Sequence, residues 1–282
     1  MVGTIIHGDA LSIANGDELD DNSVDAIITS PPYWKMRKYP DARMEWPDGW
    51  YGELGQEPFP QNYVSHLTEI FSSYQDALKD SGSMWVNIDD KYSGSGNGAW
   101  KDPSEDVKES FVPEENYWNN DVSIPRKSRC LVPERFVIEM VDDYDFILRN
   151  DKVWHKSNPV PHPVRDRLNT SWEHFYFFTV DQDYYFDLDS IKVEAKTGGK
   201  KNPGDVVKTP TSSSTDGHNA TFSEELVKPI IESCVPEGGT VLDPFSGSGT
   251  VGKVADELDR NYIGVEIGEE YAQTSEAEVA AA

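Results

Sequence analysis

Cysteine is nearly absent from this chain. Cys130 and Cys234 are the only two in 282 residues, too few for a disulfide framework and without the spacing of a zinc site. Basic residues are scarce: 25 Lys and Arg stand against 51 Asp and Glu, a formal net charge of −26. No apolar run approaches the roughly 20 residues of a membrane span. The first residues, Met1-Val2-Gly3-Thr4-Ile5-Ile6-His7-Gly8-Asp9, lack the basic segment and long apolar stretch of a secretory signal. These absences lead to the expectation of a cytoplasmic chain without a membrane partner or a metal. No internal repeat is evident. What is present suffices for a core, with 37% hydrophobic and 11% aromatic residues. The length suits one large α/β domain or two small ones.

Three readings compete for the acidity. A nucleic-acid mimic needs only a carboxylate surface and no cofactor loop. A disordered tail would gather the charge in one block, but Asp and Glu are spread along the chain. The third reading is adaptation to high salt, and we favour it. At molar ionic strength the Debye length falls to about 3 Å, so self-repulsion is screened while hydrated carboxylates keep the surface soluble.

The rest of the chain is organised around Thr29-Ser30-Pro31-Pro32-Tyr33-Trp34. The apolar run Val24-Asp25-Ala26-Ile27-Ile28 before it reads as a buried strand. Two prolines then end the hydrogen-bond ladder, because neither has an N–H to donate. The outcome is a stiff shelf at the carboxyl end of a strand, where open α/β sheets bind ligands. Ser30 offers a hydroxyl, the backbone near Pro31 offers carbonyls and Tyr33 offers a ring face. Together they suit a flat ring bearing an amino group. A Pro-Pro loop that merely ends a strand is the plainer alternative.

In chain order, residues 4–6 form a short strand ending at Gly8-Asp9, where Asp9 is either a ligand-binding carboxylate or a helix N-cap. Residues 35–60 read as irregular, with Lys35, Arg37, Lys38 and Arg43 interleaved with Trp46, Trp50 and Tyr51. That pattern fits a loop touching nucleic acid, or an ordinary surface lid. Apolar spacing predicts a helix over 61–79, ended by Ser81-Gly82, then a buried strand over 84–88. A long insertion over 92–130 closes on Arg126-Lys127-Ser128-Arg129. A helix over 133–144 opens on Pro133, as first turns do. A hairpin or one bent strand covers 146–154, and a strand covers 175–179. His155-Lys156-Ser157-Asn158-Pro159 and Arg165-Asp166-Arg167 make a polar, basic loop, in which His155 reads as a structural hydrogen-bonder rather than a base. Residues 181–217 are a candidate recognition segment or arm, or a plain linker. Ser223 caps a helix through Cys234.

The segment from Thr240 to Glu266 is the strongest local signal. A strand (240–243), a glycine-rich turn, a helix (251–258), a strand (261–265) and a terminal acid form a nucleotide-binding βαβ unit. Gly247 and Gly249 let the backbone approach a ligand. Glu266 falls about 20 residues on, where it can accept from a ribose hydroxyl pair. The turn is not G-x-G-x-x-G, which disfavours a dinucleotide pyrophosphate. Asp243 at the strand end suits a cationic ligand such as the methionine part of S-adenosyl-L-methionine. A last amphipathic helix covers about 269–279.

Together these motifs resemble the amino-methylating DNA methyltransferases of the permuted "beta" order, in which the catalytic motif precedes the cofactor motif. Ser30-Pro31-Pro32-Tyr33 looks like the catalytic motif, and Asp243-Pro244-Phe245-Ser246-Gly247-Ser248-Gly249-Thr250 looks like the cofactor loop. Glu266 matches the ribose-binding acid, and Gly8-Asp9 is similar to the segment that contacts adenine. His218-Asn219-Ala220-Thr221-Phe222-Ser223 looks like the pre-helix cofactor motif, with Asn219 and Ser223 where prolines are common; Phe222 would be its cofactor contact. Trp154 to Pro159 and Asp166-Arg167 are also similar to this group.

The resemblance implies an α/β, Rossmann-like, doubly wound sheet of seven mostly parallel strands with one antiparallel. Residues 1–180 are its catalytic half, 181–217 the recognition segment or arm, and 218–282 its cofactor half. It implies S-adenosyl-L-methionine as cofactor, double-stranded DNA with a flipped base as substrate, a cognate restriction endonuclease as a possible partner, and a monomer or homodimer. Ser at the first motif position is associated with cytosine-N4 methylation. Adenine-N6 methylation on the same scaffold and a catalytically silent binding module are the alternatives. Methylation of glutamine side chains or RNA also uses a Pro-Pro-Tyr shelf, but with the cofactor loop first. In so acidic a chain, DNA must meet cations gathered in one cleft: Lys35, Arg37, Lys38, Arg126, Lys127, Arg129, Lys156, Arg165 and Arg167.

Overall fold

The computed structural model describes residues 3–39, 42–94, 124–159, 164–211 and 223–281. In chain order the elements are β1 (Gly3–His7), α1 (Ala10–Ala14), β2 (Val24–Thr29), β3 (Arg43–Glu45), β4 (Tyr51–Glu53), α2 (Pro60–Ser73) and β5 (Leu78–Ile88). Then come α3 (Val132–Asp142), β6 (Ile147–Lys156), β7 (Trp172–Thr179), β8 (Val193–Glu194), β9 (Lys200–Lys201) and β10 (Val206–Thr209). The chain closes with α4 (Glu224–Cys234), β11 (Thr240–Asp243), α5 (Thr250–Glu257), β12 (Asn261–Glu266) and α6 (Glu269–Ala281).

The main sheet has the order β1-β12-β11-β2-β5-β7-β6-β10. Only β7 runs antiparallel to its neighbours. Both faces are covered, so the central strands are apolar on both sides. Ile27, Met84, Val86 and Phe178 pack against α1, α2 and α3. Ala26, Ile28, Trp85, Phe175 and Phe177 point the other way, toward α4 and α5, as the two-residue period of a strand requires. The two chain halves meet where β11 pairs with β2, Val241 opposite Ala26 and Leu242 opposite Ile27. Adjacent parallel strands therefore carry the shelf and the glycine turn out of the same sheet edge. This is the point where the strand order reverses, and open α/β sheets bind ligands there.

Three expectations change, and 146–154 takes one of its two expected forms. The sheet has eight strands among the described residues rather than seven, because β10 adds to β6. The Trp154 indole donates to Thr209 Oγ1 at 2.8 Å and holds this edge strand. Part of the candidate arm is thus sheet, and β8 and β9 form a small hairpin in it. The helix expected over 61–79 stops at Ser73, since Leu78 already pairs with Val24. Ser81 and Gly82 lie inside β5, in an irregular stretch where the register shifts. There Lys79 binds Asp25 at 2.8 Å. The stretch 146–154 is one bent strand, with its register shift between Leu148 and Asn150. The irregular segment 35–60 contains the antiparallel pair β3 and β4. Its Trp46 is buried and stacks on His66, with ring centroids 4.0 Å apart.

Candidate functional site

Ser30 and Tyr33 meet across the Pro-Pro turn. The Ser30 hydroxyl donates to the Tyr33 oxygen at 3.2 Å. The Tyr33 hydroxyl in turn faces Asn87 Oδ1 at 2.8 Å and Glu173 Oε2 at 3.0 Å, and donates to this pair. Asn87 is oriented by its own amide, which donates to the His174 carbonyl at 2.8 Å. Burial and the Glu173 carboxylate push the Tyr33 hydroxyl well above the usual phenol range. Tyr33 therefore stays neutral and acts as a fixed hydrogen-bond bridge, its ring half-buried.

The shelf is braced from below. The Tyr63 hydroxyl donates to the Pro32 carbonyl at 3.0 Å, and the Trp34 indole donates to the Glu57 carbonyl at 3.0 Å. Gly55 lies against the turn with φ +87°, where a Cβ would sit 3.0 Å from the Tyr33 carbonyl and 3.2 Å from that of Pro32. Its N–H donates to buried Glu57, and its carbonyl accepts from Lys35 N–H. The Pro31 carbonyl has no donor among the described residues.

Two carboxyls behind Tyr33 were not singled out in the sequence. Glu173, buried, pairs with Lys156. Asp89, at the end of β5, is pushed up to about 7 by burial first and by Glu173 second. The available signal was a Glu inside the aromatic run Trp172-Glu173-His174-Phe175, and Asn87-Ile88-Asp89-Asp90 at a strand end.

Across β2, the Thr29 hydroxyl donates to Asp243 Oδ1 at 2.5 Å, and Phe245 N–H donates to the same oxygen at 3.0 Å. Asp243 is buried, and burial pushes its carboxyl up to about 7 against the lowering effect of those bonds. Pro244 is buried and Phe245 and Ser248 half-buried. Gly247 N–H donates to Glu266 Oε2 and Gly268 N–H to Glu266 Oε1, each at 2.9 Å. Burial also raises the Glu266 carboxyl. Gly249 has φ +81°, and a Cβ there would fall 2.8 Å from Ser275 Oγ. Thr250 opens α5. Asp9 is the N-cap of α1, accepting from Ser12 N–H at 2.9 Å; of its two sequence readings, the cap is the one with a visible bond. Phe222 lies outside the described residues.

The cations group by the same sheet edge. Lys91 Nζ donates to the Lys35 carbonyl at 2.6 Å, and Cys130 N–H to the Lys91 carbonyl at 2.8 Å. Arg37, Lys38, Arg126, Lys127 and Arg165 are exposed. Lys127 binds Asp166 at 2.5 Å, and the Arg167 guanidinium lies 4.0 Å from the Tyr92 ring centroid. Two members differ from expectation. Lys156 serves buried Glu173, and Arg129 serves Asp90 at 2.8 Å and Glu134 at 3.4 Å. A buried carboxylate needs a paired cation, so these two charges are already committed within the protein.

Residues 24–277 match the family model N6_N4_Mtase, described as DNA methylase. The chain is 35% identical over 268 residues to the type II methyltransferase M.Cfr9I of Citrobacter freundii, covering 95% of this chain and 84% of that one. The fold is similar to PvuII DNA methyltransferase (cytosine-N4-specific), with a TM-score of 0.71 at 19% identity, covering 99% of this chain and 86% of that one. It is also similar to M1.HpyAVI, solved as a SAM complex, with a TM-score of 0.60 at 20% identity over 99% of both chains.

Proposed function

This chain belongs to the N6/N4 DNA methylase family, and on that premise we propose that it methylates the exocyclic N4 of a cytosine flipped out of duplex DNA. The observation that carries amino-group methylation is the Ser30–Tyr33 bond, and Ser at the first motif position supports cytosine over adenine. The serine gives its only proton to Tyr33, so its lone pairs are left to accept an amino N–H.

The amino lone pair of cytosine is conjugated into the ring and is a poor nucleophile. Hydrogen bonds from the NH2 group to Ser30 Oγ and the Pro31 carbonyl draw the nitrogen toward tetrahedral geometry and free that pair. Bound S-adenosyl-L-methionine supplies an electrophilic methyl on a cationic sulfur. The thioether would leave with the electron pair of the broken bond, and the methylated nitrogen, made acidic by its positive charge, would give its proton to solvent without a strong base. Tyr33 supports the ring, and rigid placement provides most of the acceleration. Pro31, Pro32, Tyr63 and Gly55 give that rigidity.

The cofactor half fits a cationic, ribose-bearing ligand. Asp243 is a buried carboxyl with no cationic partner among the described residues, and a positive ligand supplies the missing countercharge. Glu266, held by two glycine N–H groups, would accept from the ribose hydroxyls, and Pro244, Phe245, Gly247, Ser248, Gly249 and Thr250 of the turn would hold the rest of the ligand. Asp9 and Phe222 complete the adenine site in this reading. DNA phosphates meet Lys35, Arg37, Lys38, Arg126, Lys127, Arg165 and Arg167. The relationship to a type II methyltransferase supports a role beside a cognate restriction endonuclease in the cytoplasm, and the acidity supports a salt-rich interior.

The test is mass spectrometry of nucleosides from DNA of a host expressing the protein, with methylation-aware sequencing to map the site. N4-methylcytosine is expected in the wild type, and at least about 100-fold less with Ser30→Ala or Tyr33→Ala. N6-methyladenine would overturn the choice of base. Full methylation by both variants would overturn the assigned residues.

A further inference from the structure

Leu168 is 90% exposed, more than any other large hydrophobic side chain among the described residues. A single exposed leucine means little by itself. Its setting is what distinguishes it. It sits in the connection from β6 to β7, directly after Arg165-Asp166-Arg167. The backbone there is tethered: Arg167 Nη1 donates to the Leu168 carbonyl at 2.9 Å. The same guanidinium lies over the Tyr92 ring, and Asp166 is pinned to Lys127. An apolar side chain is thus held out into solvent from an anchored turn that carries two arginines just before it.

Its location points to a use. Leu168 is on the rim of a cleft of about 280 Å³ that also includes Asp89, Arg129, Trp172 and His174. His174 is buried, and its Nε2 has no hydrogen-bond partner. His174 ties this cleft to the shelf: its carbonyl accepts from the Asn87 amide at 2.8 Å, and Asn87 Oδ1 accepts from the Tyr33 hydroxyl at 2.8 Å. The exposed leucine therefore borders a cleft that is joined through His174 and Asn87 to Tyr33 of the shelf, and it follows Arg165 and Arg167 directly in the chain.

We propose that Leu168 is the DNA-inserting residue, which enters the base stack at the target and fills the gap left by the extruded base. This rests on the base-flipping methyltransferase reading above. Arg165, Arg167 and Lys127 bind phosphates flanking the gap, and the leucine excludes water from the unstacked step. Apolar wedges between base steps work in this way, offsetting part of the unstacking cost. Leu168 touches neither the cofactor nor the reacting nitrogen, so it is a positioning residue.

The test compares wild type and Leu168→Ala on two duplexes containing the mapped site, one fully paired and one with the target opposite an abasic position. On the paired duplex Leu168→Ala should lose roughly tenfold or more in kcat/KM. On the abasic duplex, where the base is already unpaired, it should approach the wild-type rate. Leu168→Phe, still an apolar wedge, should retain most activity on the paired duplex, and Leu168→Asp should not. Equal loss of Leu168→Ala activity on both duplexes, or no loss on the paired one, overturns the proposal. A wild type that methylates neither duplex overturns the reading beneath it instead, which keeps the two failures apart.

Discussion

Asp243 is the residue whose ionisation should be visible from outside. Burial lifts its carboxyl to about 7, with the Glu266 carboxylate adding to the rise. The folded value is above the usual aspartate value of about 3.9, so the native state favours the protonated form. That contribution to stability is fully present below about pH 4 and is lost as pH rises through about 7. A cationic ligand favours the ionised form. Affinity for S-adenosyl-L-methionine should therefore strengthen as pH rises toward about 7 and level off above it, with proton release in the lower range. Calorimetric titration in buffers of different ionisation enthalpy measures both effects. Asp243→Asn should weaken binding and remove the pH dependence contributed by this group. A flat affinity between about pH 5.5 and about pH 8 in the wild type would contradict the assignment of Asp243 to the cation. The motif position of Asp243 was legible in the sequence. Its unpaired burial was not, because that depends on Thr29, 214 residues away in the chain.

At the scale of elements, the turn between β4 and α2 is a buttress for the shelf. Gly55 has φ +87°, and a Cβ there would press on the Tyr33 and Pro32 carbonyls at 3.0 and 3.2 Å. Gly55→Ala should cost about 1–2 kcal/mol from the left-handed backbone alone, with more from the close contact. Urea unfolding would measure that loss. Methyl transfer should fall further than stability does, because the shelf itself shifts. Unchanged stability and activity would show that the buttress is not needed. The insert reads in sequence as an irregular basic and aromatic loop. In the structure its aromatics are divided: Trp46 is buried on His66, while Tyr51 is exposed. Composition alone does not separate these two roles. The misplaced end of α2 has a similar cause. Ala77 and Leu78 continue a helical apolar period, but Leu78 finds its partner in Val24 of the neighbouring strand.

Across the whole molecule, the net charge of −26 is set against a cluster of cations at one sheet edge. Self-repulsion at low ionic strength should reduce stability, and screening should restore it as the Debye length falls from about 10 Å at 0.1 M salt to about 3 Å at 1 M. Circular dichroism and thermal melting across a KCl series should show gain of structure and a rising Tm. Full folding without salt would remove the case for adaptation to high salt. DNA affinity should move the opposite way, since phosphate contacts weaken with salt. No helix among the described residues is long and apolar enough to cross a membrane.

The sequence by itself determined the pieces whose physics is local. Two prolines end a strand because they lack an N–H, glycines at 247 and 249 permit a turn that side chains resist, and acids follow strand ends at positions 243 and 266. The order of these motifs pointed to the family, and short apolar runs pointed to buried strands. Only the tertiary structure decided who partners whom. Tyr33 meets Asn87 from 54 residues away and Glu173 from 140 residues away. Lys156 belongs to Glu173 rather than to solvent. β10 joins the sheet because Val153 through Lys156 offer it an edge. A linear pattern records the tendency to be buried, but hydrogen bonds and ion pairs are set by distance in space. Ser30 in Ser30-Pro31-Pro32-Tyr33 is therefore readable as a motif, while its role as a donor to a tyrosine already held by buried Asn87 and Glu173 is a property of the folded sheet.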